Sequence, residues 1–180
     1  NKLIWTITDG SQGMISQVIG LAQQLSFNII QKETKLIFPW SKLQPGLLPI
    51  FKWIFLNKFN FKSKPDIIIS CGRKSVYTSL YLKKILNNKI FTIHIQNPKV
   101  NFKNFNAIIA PEHDNLNGDN VFSSKGAIHY ITEEEIHEAR PYLMDKVKSK
   151  KIVSLILGGP NKYYNFDKEQ LIKIFNEIKS

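Results

Sequence analysis

"DIIISCGRKSVYTSLYLKKIL", residues 66–86, is the stretch on which the fold turns. Three consecutive isoleucines in an unbroken apolar run describe a strand covered on both faces, since a half-exposed strand would alternate apolar with polar. Gly72 permits a tight turn, and "SVYTSLYLKKIL" (75–86) then takes up a helical pattern. A doubly buried strand that runs through a glycine turn into a helix is the βα unit of a parallel sheet.

The same alternation extends in both directions. Upstream are "LIWTIT" (3–8), "MISQVIGLAQQL" (14–25), "IIQKETKLIF" (29–38) and an aromatic stretch at 47–59. Downstream are "IFTIHIQ" (90–96), "AIIA" (107–110), "VFSS" (121–124) and "AIHYI" (127–131), each a short β-rich run. The expected fold class is α/β, a doubly wound parallel sheet over residues 1–131. "TEEEIHEARPYLM" then opens with a capping-box pattern at Thr132 and Glu135, is interrupted by Pro141, and leads into the charged run "DKVKSKK" (145–151). Residues 132–151 therefore read as a connecting helix and linker.

At 180 residues and 43% hydrophobic, the chain has enough material for one core and a remnant. No apolar run approaches the ~20 residues that span a bilayer. The first residues, "NKLIWTITDG", lack signal-peptide anatomy, and one cysteine makes neither an internal disulfide nor a zinc ligand set. The expected compartment is the cytoplasm, and no metal site is expected.

The formal charge of +11 invites a polyanionic partner. Its make-up argues against nucleic acid: the basic residues are 23 Lys, scattered along the chain, and only Arg73 and Arg140. Such a Lys-rich, Ile-rich and Asn-rich composition follows from AT-rich coding. A rare Arg in a loop is then more informative than any Lys.

In parallel sheets ligands gather beyond the carboxyl ends of the strands, so the residues that follow each strand are the candidates. After the first comes "TDGSQGM" (8–14), where Gly10 and Gly13 allow a tight turn and Gln12 opens a helix whose first N–H groups suit an anion. The plain alternative is a βα turn capped by Asp9 or Ser11. After "DIIIS" comes "CGRKS" (71–75): Gly72 for close approach, Arg73 and Lys74 beside a helix start, Ser75 as a cap. Positive side chains are unfavourable at the positive end of a helix, so two of them suggest an anion nearby, with a solvated basic turn as the alternative. Cys71 reads as a small buried residue. Gln96 and Asn97 follow the fourth strand, and "PEHD" (111–114) follows the fifth, bringing Glu112, His113 and Asp114 into one turn suited to acid-base work or to sugar hydroxyls, with a plain polar loop in which Asp114 starts a turn as the alternative. His129, inside an apolar strand, reads as structural.

"TDGSQG", "PDIIISCGRKS", "IQNPKV", "IIAPEHD", "GAIHYIT" and "LILGGPNKYY", in this order, resemble the mitochondrial fission Elm-type family, whose bacterial members are grouped with glycosyltransferases. The resemblance covers nearly the whole chain. It implies a GT-B-like architecture, with a Rossmann-like acceptor-side domain and a second Rossmann-like domain, begun at 152–180, that holds the donor. In the second domain the glycine loop of Gly158 and Gly159 would cradle the donor diphosphate, with Asn161 or Lys162 adding contacts and a plain βα turn as the alternative, and Asp167 would cap "KEQLIKIFNEI". Family members are longer than 180 residues, so this piece is expected to lack a complete donor site and to be inactive alone.

The implied reaction is metal-independent sugar transfer from a nucleotide-sugar co-substrate, with no cofactor. Glu112 or His113 is the expected base and Asp9 the runner-up, while Arg73 is the candidate for a phosphate. Residues 39–64 interleave aromatics with Lys42, Lys52, Lys58, Lys62 and Lys64. That pattern suits either an anionic membrane interface, with a lipid-linked or lipid A-type acceptor at the inner membrane, or a core-facing helix with lysines outside. The other function class is a non-catalytic adaptor of the fission type, with a vestigial cleft.

Overall fold

The computed structural model describes residues 2–25, 27–59, 62–87, 89–144, 154–157 and 167–179. The chain divides into two compact units, Asn1–Glu135 and Ile136–Ser180.

The first unit is a six-stranded, wholly parallel sheet: β1 (Leu3–Thr8), β2 (Asn28–Glu33), β3 (Ile67–Cys71), β4 (Phe91–Ile95), β5 (Ala107–Pro111) and β6 (Val121–Ser124). Their spatial order is β2-β1-β3-β4-β5-β6. Helix α1 (Gln12–Gln23) lies on one face and α2 (Arg73–Ile85) on the other, which makes the sheet a doubly wound, Rossmann-like α/β layer. Alternation along the strands divides the core accordingly. Ile4, Ile69, Cys71, Ile93 and Ile95 pack with Val18 and Ala22 of α1, while Trp5, Ile7 and Ile68 pack with Leu82 of α2.

The crossover from β2 to β3, residues 34–66, contains no α-helix among its described residues, only a 3-10 turn at Lys52–Ile54. An antiparallel bridge between Leu36 and Phe55 folds it back on itself. Leu36, Trp40 and Ile54 are buried against Tyr77 of α2 in a satellite core. The core-facing helix is not formed: part of the segment's apolar content faces the core without a helix, and part faces outward. The strand expected at 29–38 is likewise shorter, because after Glu33 the chain leaves the sheet for that satellite core.

The expected strand at 127–131 is not formed. The backbone of His129 instead crosses α1 so closely that a Cβ on Gly20 would sit 2.4 Å from its carbonyl oxygen. The pattern that suggested a strand serves this strap: Ile128 is partly buried in the α1-side core, and His129 is exposed and not a structural core histidine.

Helix α3 (Glu133–Met144) begins with the expected capping box: the Thr132 N–H donates to Glu135 Oε2 at 3.0 Å, and the Glu135 N–H donates to Thr132 Oγ1 at 3.2 Å. It continues beyond Pro141, which removes one backbone bond without obliging the helix to stop there. In the second unit, Ser154–Leu157 are exposed and in no strand, where the opening strand was expected. Helix α4 (Lys168–Lys179) follows Asp167, whose Oδ1 accepts from the Glu169 N–H at 3.0 Å. The linker run 145–151 and the expected donor loop, Gly158 to Lys162, lie outside the described residues.

Candidate functional site

β2 and β3 flank β1 on opposite sides, so the chain reverses direction across the sheet between β1 and β3, the crevice where α/β proteins place ligands. Two loops meet there. Gly10, at φ +92°, turns the chain out of β1, and Gly72, at φ +87°, turns it out of β3, both in the left-handed region that favours glycine. Gly72 also makes room for a neighbour: a Cβ there would lie 2.3 Å from Met14 Sδ on α1. The starts of the two helices are thus packed together, and no side chain caps either of them.

Asp9 organises this crevice. Its Oδ1 accepts from the Ser11 N–H at 3.2 Å and the Ser11 hydroxyl at 2.6 Å, and its Oδ2 lies 3.4 Å from Lys74 Nζ. Burial pushes the Asp9 carboxyl up, but the Ser11 hydrogen bonds and the Lys74 ammonium outweigh it and hold it below the usual carboxylate value. Ser11 therefore braces Asp9 instead of capping α1. Ser75 does not cap either: its hydroxyl donates back to the carbonyls of Cys71 at 2.8 Å and Gly72 at 2.6 Å, from inside the first turn of α2.

Arg73 points to the crossover. Its guanidinium donates to the backbone carbonyls of Trp40, Ser41 and Leu43. Both cations at this helix start thus have partners within the fold, the Asp9 carboxylate for Lys74 and three neutral backbone carbonyls for Arg73. Gln12 and Gly13 are exposed at the start of α1.

A second site opens beyond β4 and β5. A cavity of ≈ 510 Å³ is lined by Gln96, Asn97 and Lys99 from the β4 loop, His113 and Asp114 from the β5 loop, and Gln17 from α1. The β4 loop is held in an unusual backbone: Gln96 has φ 80° and Lys99 φ 57°, with the Gln96 N–H donating to the Ile109 carbonyl at 2.8 Å and the Lys99 N–H to Asn97 Oδ1 at 2.9 Å. Left-handed backbone at residues other than glycine is costly, and such positions cluster at functional sites. A short 3-10 turn, Glu112–Asp114, places His113 Nε2 3.7 Å from Asp114 Oδ1. The structure therefore brings Gln96, Asn97 and His113 into one cavity, whereas Glu112 does not line it and Asp9, Arg73 and Lys74 sit at the switch point.

Gln17 and Lys99 were not singled out in the sequence. Gln17 had a signal, since it lies one helical turn after Gly13, whose carbonyl its side-chain amide reaches at 3.3 Å. A buried pair, Ser70 Oγ and His94 Nδ1 at 2.9 Å, lies in the sheet and takes no part in either site. Burial lowers the His94 pKa to about 3 and raises the Cys71 thiol to about 12. Among the described residues, no group of three or more His, Cys, Asp or Glu is placed to hold a metal ion, and no helix is long and apolar enough to cross a membrane.

An uncharacterised protein of Rickettsia prowazekii (strain Madrid E), RP120, is 28% identical over 224 aligned residues, covering 98% of this chain and 60% of that protein. This chain thus spans less than two thirds of that relative's length. The mitochondrial fission protein ELM1 of Arabidopsis thaliana is 30% identical over a shorter stretch of 53 residues, 29% of this chain and 12% of that protein. No solved structure matches the chain significantly. The model of the mitochondrial fission ELM1 family matches residues 12–180, from the first turn of α1 through both units, and the chain belongs to that family.

Proposed function

We propose that the chain supplies the acceptor side of a glycosyltransferase that moves a sugar from a nucleotide-sugar donor to a hydroxyl acceptor. The observation that carries this reading is the cavity beyond β4 and β5, where a histidine, a carboxylate, three amides and a lysine converge. Its ≈ 510 Å³ falls in the range of small-molecule sites, and its lining is made for hydroxyl groups. The resemblance of the six loop motifs to a family whose bacterial members are grouped with glycosyltransferases supports it as well.

In this reading His113 accepts the proton of the acceptor hydroxyl, and Asp114 places a negative charge beside the ring as it becomes positive. The freed oxygen forms a bond to the anomeric carbon. The bond from that carbon to the donor diphosphate breaks, and its electron pair leaves with the nucleoside diphosphate, whose charge hydrogen-bond donors and cations would offset. Gln96, Asn97 and Gln17 orient the acceptor. Glu112 lies outside the cavity lining and Asp9 is engaged by Ser11 and Lys74, so His113 is the base of choice.

Two measurements on the complete natural protein test this. Thermal shifts against a panel of nucleotide-sugars should show at least one stabilising donor, and H113Q should lower transfer about a hundredfold or more while leaving that shift intact. E112Q should transfer at nearly the unaltered rate. If no nucleotide-sugar stabilises the protein, or H113Q transfers normally, the reading fails and the adaptor of the fission type takes its place.

A further inference from the structure

We infer that the outer surface of the β2–β3 crossover, residues 38–58, docks the protein on an anionic lipid bilayer. The first support is charge. Residues 34–65 carry Lys35, Lys42, Lys52, Lys58, Lys62 and Lys64 and not one Asp or Glu. Lys35 pairs with Glu33 at 3.2 Å, while Lys42, Lys52 and Lys58 stand exposed. A segment with cations alone is complementary to a surface of anionic headgroups.

The second support is the apolar surface set among those lysines. Leu47 is 66% exposed, Phe51 44%, Trp53 59% and Leu56 65%. Phe51 and Trp53 stack with ring centroids 5.5 Å apart, and Trp53 meets the buried Trp40 edge-on at 5.0 Å. Trp40 is itself fixed by its indole N–H, which donates to the Pro49 carbonyl at 3.0 Å. Water-facing rings braced on a buried one are a preformed platform. Amphipathic aromatic rings ringed by lysines favour the bilayer interface, where the rings reach the acyl boundary and the ammonium groups stay at the phosphates. Beside the platform, an apolar cavity of ≈ 720 Å³ between Trp53, Phe55, Phe59 and Tyr81 has Lys52 and Lys58 on its lining, so the same pairing of apolar surface with cations continues inward.

The inference stands apart from the transfer reaction, because vesicle binding tests the surface and the transfer assay tests the cavity. The protein should co-sediment at low salt with vesicles containing phosphatidylglycerol and not with pure phosphatidylcholine. Trp5 and Trp40 are already buried, 1% and 8% exposed, so a blue shift of tryptophan emission on binding reports entry of Trp53. The paired substitutions L47S/F51S and K52E/K58E, all at exposed positions, should each weaken vesicle binding about tenfold or more with the thermal midpoint retained. Absence of binding to the anionic vesicles overturns the inference. So do equal binding to neutral vesicles, binding with unchanged tryptophan emission, full binding by both double variants, or capture of an acidic protein without any vesicle binding.

Discussion

His94 sits in the sheet with a proton affinity unlike that of the free side chain. Burial lowers its pKa from the ordinary 6.5 to about 3, so the folded protein keeps it neutral where the unfolded chain would protonate it. The unfolded state binds the extra proton first as pH falls. The stability that the neutral ring contributes is therefore fully present above 6.5 and is lost progressively as pH drops toward 3. The loss should reach on the order of 4 kcal/mol across that window, measured by urea unfolding at a series of pH values, and H94N should flatten the slope. If wild type and H94N share the same pH dependence, the ring is not buried as described. This histidine was hard to single out in "IFTIHIQ", because Thr92 and His94 alternate with Ile93 and Ile95 and a polar face of a strand ordinarily faces water. Here both faces are covered, and Ser70 satisfies the ring from the next strand. Cys71 was easier to read, since a lone cysteine closing an apolar run without a histidine partner is most simply a small core residue.

At the scale of elements, the long crossover is the part least legible in sequence. Its conformation is written in α2, the element after next. Tyr77 donates its hydroxyl to the Gln44 carbonyl at 2.8 Å, and Thr34 and Thr78 share a buried hydroxyl contact of 2.8 Å. Arg73 adds its hydrogen bonds to three carbonyls of residues 40–43. Removing that guanidinium leaves backbone acceptors without their donor, so R73A should lower the unfolding free energy by about 2 kcal/mol. R73K should recover only part, because an ammonium lacks the planar fork. A phosphate ligand at this position would behave in the opposite way, losing binding while stability held. Chemical denaturation of both variants decides between them. The loops at the strand ends were legible for a different reason: "TDGSQG", "CGRKS" and "QNP" carry glycine or positive-φ chemistry that the turns themselves require. Which of these loops would share a cavity was not legible, since that depends on strand order.

For the molecule as a whole, unbroken apolar strands and intervening helices were enough to predict a parallel, doubly wound sheet. The apparent strand at 127–131 misled because a strap across a helix needs the same apolar spacing as a strand. The single thiol offers a test of the whole first unit. Cys71 is fully buried among Ile4, Ile69 and Val18, and burial raises its pKa to about 12, so it reacts only when the core opens. Alkylation of the native protein should be slow, and its dependence on denaturant should follow global unfolding of the sheet. Labelling at a rate indifferent to denaturant would mean that the strands around β3 open locally.

The dependence of the crossover on α2 also bears on synthesis. Residues 34–65 leave the ribosome before Arg73, Tyr77 and Thr78 have been made, so the aromatic segment waits in water without its anchors. During that wait Phe38, Phe51 and Trp53 are available to any neighbouring nascent chain. A segment with six lysines and no carboxylate repels its own copies, and the charge that fits a lipid surface thus also keeps newborn molecules apart until the helix arrives.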